Sequence, residues 1–362
     1  MSINKPIYIL GPCAAESREQ VLLTASQLKD ACGEIPFIYR AGAWKPRTSP
    51  HTFQGVGEEG LVWLQEVKLR LGLPVATEVA TPEHVTKALE AGMDYLWIGA
   101  RSSANPLAVQ AIADAIGDWK LVNGNFKGIL IKNPVNADAG LWIGNIERLE
   151  KTGVPVIAVH RGCNHQPCWA MAHQVRLARP DIPMLLDPSH MSGEAAKVPE
   201  LIQKIEELGL DGAMVEVHCD PKSALSDNAQ QLTPKGLAEI IPFGVTRPLL
   251  DGFLRTPSQK YASDRVSSPM GGETKELNWL RAEIDELDER LWGTIAARME
   301  VSERIGKWKK AHGVAPLQPE RYQQIVEKLK IKNEELKDKS LSMDFMLHIW
   351  ELIHQESLKK QE

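Results

Sequence analysis

The chain has 362 residues, 43% of them hydrophobic and 25% charged, with a formal net charge of −5. That length accommodates one large domain of ~250 residues and a smaller one, and the balance of acids and bases excludes a nucleic-acid binder built on a basic face. No apolar run reaches the ~18 residues of a membrane span, and the start Met1–Pro6 lacks the apolar core of a signal peptide. Five irregularly spaced cysteines form no disulfide framework, so the expectation is a cytoplasmic protein with reduced thiols.

From the start to about residue 255 one theme repeats. A short apolar run ends in a polar or glycine-rich turn, and an amphipathic stretch follows. The runs are Tyr8–Leu10, Phe37–Tyr39, Pro74–Thr77, Tyr95–Ile98, Ile129–Ile131, Val156–Val159, Met184–Leu186 and Ala213–Val217. Continuous apolar runs between helical patterns indicate strands buried on both faces of a parallel sheet. This alternation predicts a (β/α)8 (TIM) barrel over residues 1–255. A doubly wound open sheet is the competitor, but no Gly-x-Gly-x-x-Gly follows the first run.

Polar chemistry collects where the runs end. Cys13 follows the first, Arg40 and Lys45 the second, Glu78 the third and Arg101 the fourth. Lys132 follows the fifth, His160 and Arg161 the sixth, Asp187 and His190 the seventh, Glu216 and His218 the eighth. In a barrel these ends share one face, which holds the active site. Cys13, His190, Glu216 and Asp227 come from the first, seventh and eighth ends, which adjoin on closure. One thiol, one imidazole and two carboxylates suit Mn, Fe, Co or Zn rather than Mg. His160, Cys163, His165 and Cys168 make a rival cluster, and a nucleophilic Cys13 is a rival role. Arg40, Lys45, Arg101, Lys132 and Arg161 put five cations around one mouth, which calls for a small polyanion such as a phosphorylated carboxylate. Arg47-Thr48-Ser49, after Pro46, offers a fork and two hydroxyls to a second phosphate.

Residues 256–275 are rich in Ser, Pro and Gly and read as a linker. Residues 276–362 contain no strand-like run. They predict an all-α three-helix domain with helices at about 276–311, 319–337 and 342–361. The first would be ~50 Å long. Three such helices cannot bury their apolar stripes alone, so a homodimer through this domain is expected. Leu280, Ile284, Leu287, Leu291, Ile295, Ser302 and Ile305 share one stripe at ~100° per residue. Arg298 and Lys309 fall near its centre, where a charge is costly unless paired or bound to an anion; a structural salt bridge or a snorkelling side chain is the plain alternative. In the third helix the Met346, Ile349, Ile353 face runs on into Ser357 and Gln361.

Gly11-Pro12-Cys13-Ala14, Arg40 with Lys45-Pro46-Arg47-Thr48-Ser49, Gly99-Ala100-Arg101, Ile131-Lys132, His160-Arg161-Gly162, Asp187-Pro188-Ser189-His190 and Glu216-Val217-His218 together resemble the 3-deoxy-D-arabino-heptulosonate 7-phosphate (DAHP) synthase family. The closest branch is the compact one shared with 3-deoxy-D-manno-octulosonate 8-phosphate synthases, and the resemblance covers residue 7 to about 250. It implies metal-dependent condensation of phosphoenolpyruvate with erythrose 4-phosphate. The metal ligands would be Cys13, His190, Glu216 and Asp227. Phosphoenolpyruvate would meet Arg40, Lys45, Arg101, Lys132 and Arg161, with Lys45 donating a proton. Erythrose 4-phosphate would meet Pro46, Arg47, Thr48 and Ser49. Residues 163–168, Cys-Asn-His-Gln-Pro-Cys, depart from the pattern. The start so close to the first strand is expected to leave no room for the N-terminal regulatory domain of some relatives.

Residues 276–361 resemble the all-helical class of chorismate mutase. The resemblance implies that chorismate, or its product prephenate, is held by Arg298, Lys309 and Arg321, by Ser357 and Gln361, and by Arg281 from a partner chain. Gln318 and Tyr322 depart from it, standing where relatives often carry acidic residues. Expected, then, is a bifunctional enzyme whose synthase is inhibited by prephenate or chorismate. The alternatives are a synthase with a non-catalytic helical sensor and dimeriser, and a phosphosugar-binding barrel without catalysis.

Overall fold

The computed structural model describes residues 6–46, 49, 51–123, 126–241, 269–335 and 341–361. Eight parallel strands form a closed barrel in sequence order: β1 Ile7–Gly11, β2 Ile38–Arg40, β3 Val75–Val79, β4 Tyr95–Ile98, β5 Gly128–Lys132, β6 Val156–His160, β7 Met184–Leu186 and β8 Gly212–Glu216. The helices of this part are α1 Arg18–Cys32, α2 Glu58–Leu71, α3 Pro82–Glu90, α4 Ala100–Ser103, α5 Pro106–Asn123, α6 Ala139–Glu150, α7 Trp169–Ala178, α8 Pro188–Ser192, α9 Val198–Glu207 and α10 Pro234–Ile240. β1 pairs β8 in the register Ile7↔Gly212 to Gly11↔Glu216, which closes the barrel.

Every strand alternates between two cores, because successive side chains point to opposite sides. Ile9, Trp97, Leu130, Ile157 and Met214 belong to an inner cluster. Leu10, Leu96, Ile131, Ala158 and Val215 pack outward with the helices. That two-sided burial is why the runs read as continuous apolar segments rather than alternating ones. Helix starts are locally encoded. Ser17, Thr81, Asp138, Asp187 and Thr233 each accept a backbone N–H of their own helix's first turn, and Pro82, Pro188 and Pro234 stand at the helix starts.

Glu78, Lys132, His160 and Glu216 lie within their strands rather than after them. Their backbone positions are therefore fixed by the strand ladder and not by loop geometry.

The described chain divides into two compact units, Met1–Glu283 and Ile284–Glu362. The division falls inside one helix, α11 Pro269–Ala311, which starts before the expected residue 276. Two further helices follow, α12 Pro319–Glu335 and α13 Met343–Lys359. Trp279 and Ala282 of α11 are buried within the first unit's core. Trp279 stacks on His173 of α7, with centroids 5.4 Å apart. His173 Nδ1 lies 2.6 Å from Glu283 Oε1 and its Nε2 3.2 Å from Glu276 Oε1. The expected linker, residues 256–275, and the expected end of the barrel domain at 255 lie mostly outside the described residues.

Candidate active site

The four proposed ligands come from three strand ends. Gly11 closes β1 with φ +147°, and a Cβ there would stand 3.0 Å from the backbone nitrogen of Arg40; only glycine lets the two strands converge and deliver Cys13. The Cys13 N–H donates to Gln231 Oε1 at 3.1 Å, and its thiol donates to Asp227 Oδ2 at 2.8 Å. Ligand atoms of Cys13, Glu216 and Asp227 all lie within 4.8 Å of one another. His190 joins them from α8. Its Nδ1 faces Asp187 Oδ2 at 2.9 Å, while Nε2 stands 3.6 Å from Glu216 Oε1 and 3.9 Å from Asp227 Oδ2. A carboxylate on Nδ1 fixes the hydrogen there and leaves the Nε2 lone pair for a ligand.

The donor chemistry suits a cation. Burial and the Glu216 carboxylate push the Cys13 thiol far above its ordinary range. A divalent cation held by Cys13, His190, Glu216 and Asp227 would offset both effects by supplying the positive charge that this donor set lacks. The Cys13 thiol also has no exposed surface, which leaves a substrate no approach for nucleophilic attack. Asp227 holds its carboxylate from a backbone with φ +50°, a conformation Asp tolerates better than most residues.

The cationic wall is largely pre-paired. Arg40 is fully buried beside Trp97, its guanidinium carbon 4.7 Å from the ring centroid, and Nη2 donates to Glu216 Oε1 at 3.1 Å. Its Nε and Nη1 are buried without a partner among the described residues. Lys132 Nζ is 2.6 Å from Asp187 Oδ2, and Lys45 Nζ is 3.6 Å from Glu78 Oε2. Burial pushes the Lys45 ammonium down, yet the Cys13 sulfur and the carboxylates of Glu78, Glu216 and Asp227 outweigh it and raise it. Lys132 goes the other way: burial wins over Asp187 and lowers it.

A cavity of about 360 Å³ opens at this barrel end. Lys45, Pro46, Glu78, Arg101, Lys132, Arg161, His190 and Asp227 line it together. Arg40, Cys13 and Glu216 do not border it, being sealed at 0% exposure. Arg47 and Thr48 lie outside the described residues. Ser49 is described but does not line the cavity; its carbonyl accepts from Thr52 Oγ1 at 2.9 Å.

The rival cluster does not assemble among the described residues. His160 Nε2 is committed to the Pro167 carbonyl at 2.6 Å, and among the described residues the donor atoms that cluster within 4.8 Å of one another are those of Cys13, Glu216 and Asp227, with His190 beside them. Sequence reasoning missed three supports. Gln230 Nε2 donates to Glu216 Oε2 at 2.7 Å, Gln231 holds the Cys13 backbone, and Asn133 Oδ1 accepts from the Arg161 N–H at 2.7 Å. Asn133 directly follows Lys132 and was findable; the two glutamines carry no local signal.

In the helical unit, Arg298 donates to Ser357 and to the Ile353 carbonyl, and Lys309 Nζ donates to Gln361 Oε1 at 3.0 Å. Two cations of α11 thus meet Ser357 of α13 and Gln361 just past its end. Arg321 Nη1 bonds Gln324 of its own helix at 3.2 Å, and Arg281 belongs to the other compact unit.

Residues 3–246 match the model of the DAHP synthetase I family, and residues 280–362 that of chorismate mutase type II. The chain is 30% identical over 240 residues to a phospho-2-dehydro-3-deoxyheptonate aldolase of Thermotoga maritima, covering 64% of this chain and 67% of the relative. It is also 30% identical over 263 residues to a 2-dehydro-3-deoxyphosphooctonate aldolase of Desulfatibacillum aliphaticivorans, covering 65% and 89%. The crystal structure of DAHP synthase from Thermotoga maritima superposes with a TM-score of 0.57 at 29% identity, over 66% of this chain and 68% of that one.

Proposed function

The chain belongs to the DAHP synthetase I family and carries a type II chorismate mutase domain behind it, and from that premise we propose that the barrel joins phosphoenolpyruvate to erythrose 4-phosphate at the cavity mouth. The observation that carries this reading is the convergence of Lys45, Arg101, Lys132 and Arg161 on one cavity beside Cys13, His190, Glu216 and Asp227. Cys13, His190, Glu216 and Asp227 would hold a divalent Mn, Fe, Co or Zn ion, which when bound supplies Lewis-acid polarisation of the acceptor aldehyde.

The chain's own residues account for the rest. Arg101, Lys132 and Arg161 hold the phosphate and carboxylate of phosphoenolpyruvate, and the orphaned donors of buried Arg40 add positive potential behind them. C3 of phosphoenolpyruvate attacks the aldehyde carbon, water adds at C2, and phosphate leaves. Lys45 delivers a proton to the new alkoxide, which is more basic than the ammonium. Glu78 holds Lys45 in place, and Gly99 keeps clear the space Glu78 occupies. Overall identity does not separate the acceptors, because the two aldolase relatives are equally similar. The Lys-Pro-Arg-Thr-Ser loop is what favours the four-carbon sugar, with Pro46, Arg47, Thr48 and Ser49 toward its distal phosphate.

The helical domain rearranges chorismate to prephenate. Arg298, Lys309, Arg321, Ser357 and Gln361, with Arg281 of a second copy, would hold the two carboxylates and the ether oxygen in the reactive geometry. Prephenate or chorismate bound there inhibits the barrel.

Phosphate release from phosphoenolpyruvate tests the barrel directly. Release is expected with erythrose 4-phosphate, is lost with chelator and returns on adding a divalent metal. Equal rates with a five-carbon sugar phosphate would overturn the acceptor assignment. Loss of chorismate absorbance with the full chain tests the mutase. If Lys309→Ala keeps the wild-type rate, the helical domain acts as a sensor instead. Added prephenate is expected to slow phosphate release.

A further inference from the structure

The loop after β6 folds into a tight turn with two non-glycine residues at positive φ. Cys163 and Gln166 exchange both backbone hydrogen bonds, at 2.8 and 2.9 Å. Between them Asn164 has φ +50° and His165 φ +58°. Two central residues with positive φ define a type I′ turn, for which glycine is the least strained choice. Asn and His tolerate these positions better than most residues, yet each carries strain that Gly would not. Strain kept at a residue whose side chain faces a site points to use of that side chain.

The turn is also held firmly. Asn133 Nδ2 donates to the Gly162 carbonyl at 3.0 Å, and His160 Nε2 donates to the Pro167 carbonyl at 2.6 Å, so the ends of β5 and β6 both pin it. Gly193, just past the helix that carries His190, has φ +69°, and a Cβ there would stand 2.7 Å from Nδ1 of His165. The imidazole therefore rests on a backbone surface cleared for it. Asn164 and His165 line the same cavity as Lys132 and Arg161, yet both are exposed, and among the described residues neither side chain has a hydrogen-bond partner. Strand order places this loop beside β5 and β7 and across the mouth from β2. The substrate group nearest to it is thus the one held by Lys132 and Arg161, not the one near Pro46.

We infer that Asn164 and His165 are further substrate-positioning residues, donating hydrogen bonds to the phosphate of the enol phosphate donor from the solvent side of the Lys132–Arg161 cradle. This rests on the reading of the barrel as a phosphoenolpyruvate-condensing site. An amide and an imidazole N–H supply directional donors without adding a fixed charge, so the phosphate is oriented and can still leave.

The test uses the full chain with His165→Ala, His165→Gln and Asn164→Gly. The KM for phosphoenolpyruvate is expected to rise roughly tenfold in His165→Ala, the effect of losing one hydrogen bond to a charged group, while the KM for the sugar phosphate holds. Inhibition by inorganic phosphate should weaken by a similar factor, and His165→Gln should recover most of the affinity. Asn164→Gly should not melt below wild type while still losing affinity for phosphoenolpyruvate. A purely structural turn gives the opposite pattern: unchanged phosphoenolpyruvate and phosphate affinity, or both substrates affected alike with a lower Tm. Calorimetric titration with phosphoenolpyruvate keeps the two levels apart. If wild type and His165→Ala bind it equally, the role of the turn is overturned and the barrel reading stands. A wild-type chain that neither binds it nor releases phosphate overturns both.

Discussion

His160 illustrates how burial fixes a residue's behaviour. It ends β6 with no exposed surface, donates from Nε2 to Pro167 and leaves Nδ1 buried without a partner among the described residues. Burial lowers it to about 4. Above pH ~6.5 the ring is neutral in both folded and unfolded chains and contributes no pH dependence. Below that, the unfolded chain takes up a proton that the folded chain refuses until about pH 4, so stability is lost as pH falls through this window. Between pH 7 and pH 5 this single group is expected to cost about 2 kcal/mol, read as a drop in the urea midpoint. His160→Gln should flatten that drop, and an unchanged slope would show the burial effect to be wrong. The same burial that silences His160 makes it a strut for the β6 loop rather than a ligand.

At the scale of elements, α11 is the instructive case. Its apolar period runs on without a break, so the sequence gives no sign that the contacts change hands between Glu283 and Ile284. What assigns its first turns to the barrel is Trp279, 3% exposed and packed edge-on to Trp169 at 6.0 Å as well as flat on His173. Trp279→Ala removes this anchor and leaves a cavity that two aromatic rings line, which is expected to destabilise the first unit by about 3–5 kcal/mol. Chemical denaturation followed by the fluorescence of the barrel tryptophans would read it, and a loss under 1 kcal/mol would mean that the contact is superficial. Beyond Glu283 the helix changes in kind. Ile284, Leu287, Leu291 and Ile305 lie 42–59% exposed, as do Phe345 and Leu352 of α13 at 51% and 55%.

For the whole molecule, that exposed stripe motivates assembly. At 43 residues α11 is about 65 Å long, and a helix of that length leaves more apolar surface than α12 and α13 cover. A second copy laid along the stripe is expected to bury it, and the proposed contribution of Arg281 to the partner's mutase site requires such an assembly. Light scattering of the full chain is expected to give twice the monomer mass at micromolar concentration, and Leu287→Glu with Leu291→Glu should halve it. A monomeric wild type would remove Arg281 from the mutase site. Among the described residues no helix is long and apolar enough to cross a membrane.

The barrel was legible because eight runs buried on both faces leave an unmistakable apolar signature, and because strand ends in a closed parallel barrel share a face whatever their spacing. Cys13, Lys45, Lys132 and His190 stand beside turn and strand-end signals of their own, so a linear reading reaches them. The pairings were not legible. Nothing local joins Cys13 to Asp227, 214 residues away, or Arg40 to Glu216, or gives Gln230 a carboxylate to hold. Five cations read in sequence as so much unmatched positive charge, but three of them are ion-paired to Glu216, Glu78 and Asp187. Hydrophobic period and turn chemistry are properties of neighbours along the chain, and they determined the barrel, the three helices and the end at which the chemistry gathers. Charge pairing, burial and the reach of a side chain depend on which strands closure makes adjacent, so only the tertiary structure decided that Arg40 lies sealed behind the cavity, that the Asn164–His165 turn borders it, and that the first turns of α11 belong to the barrel.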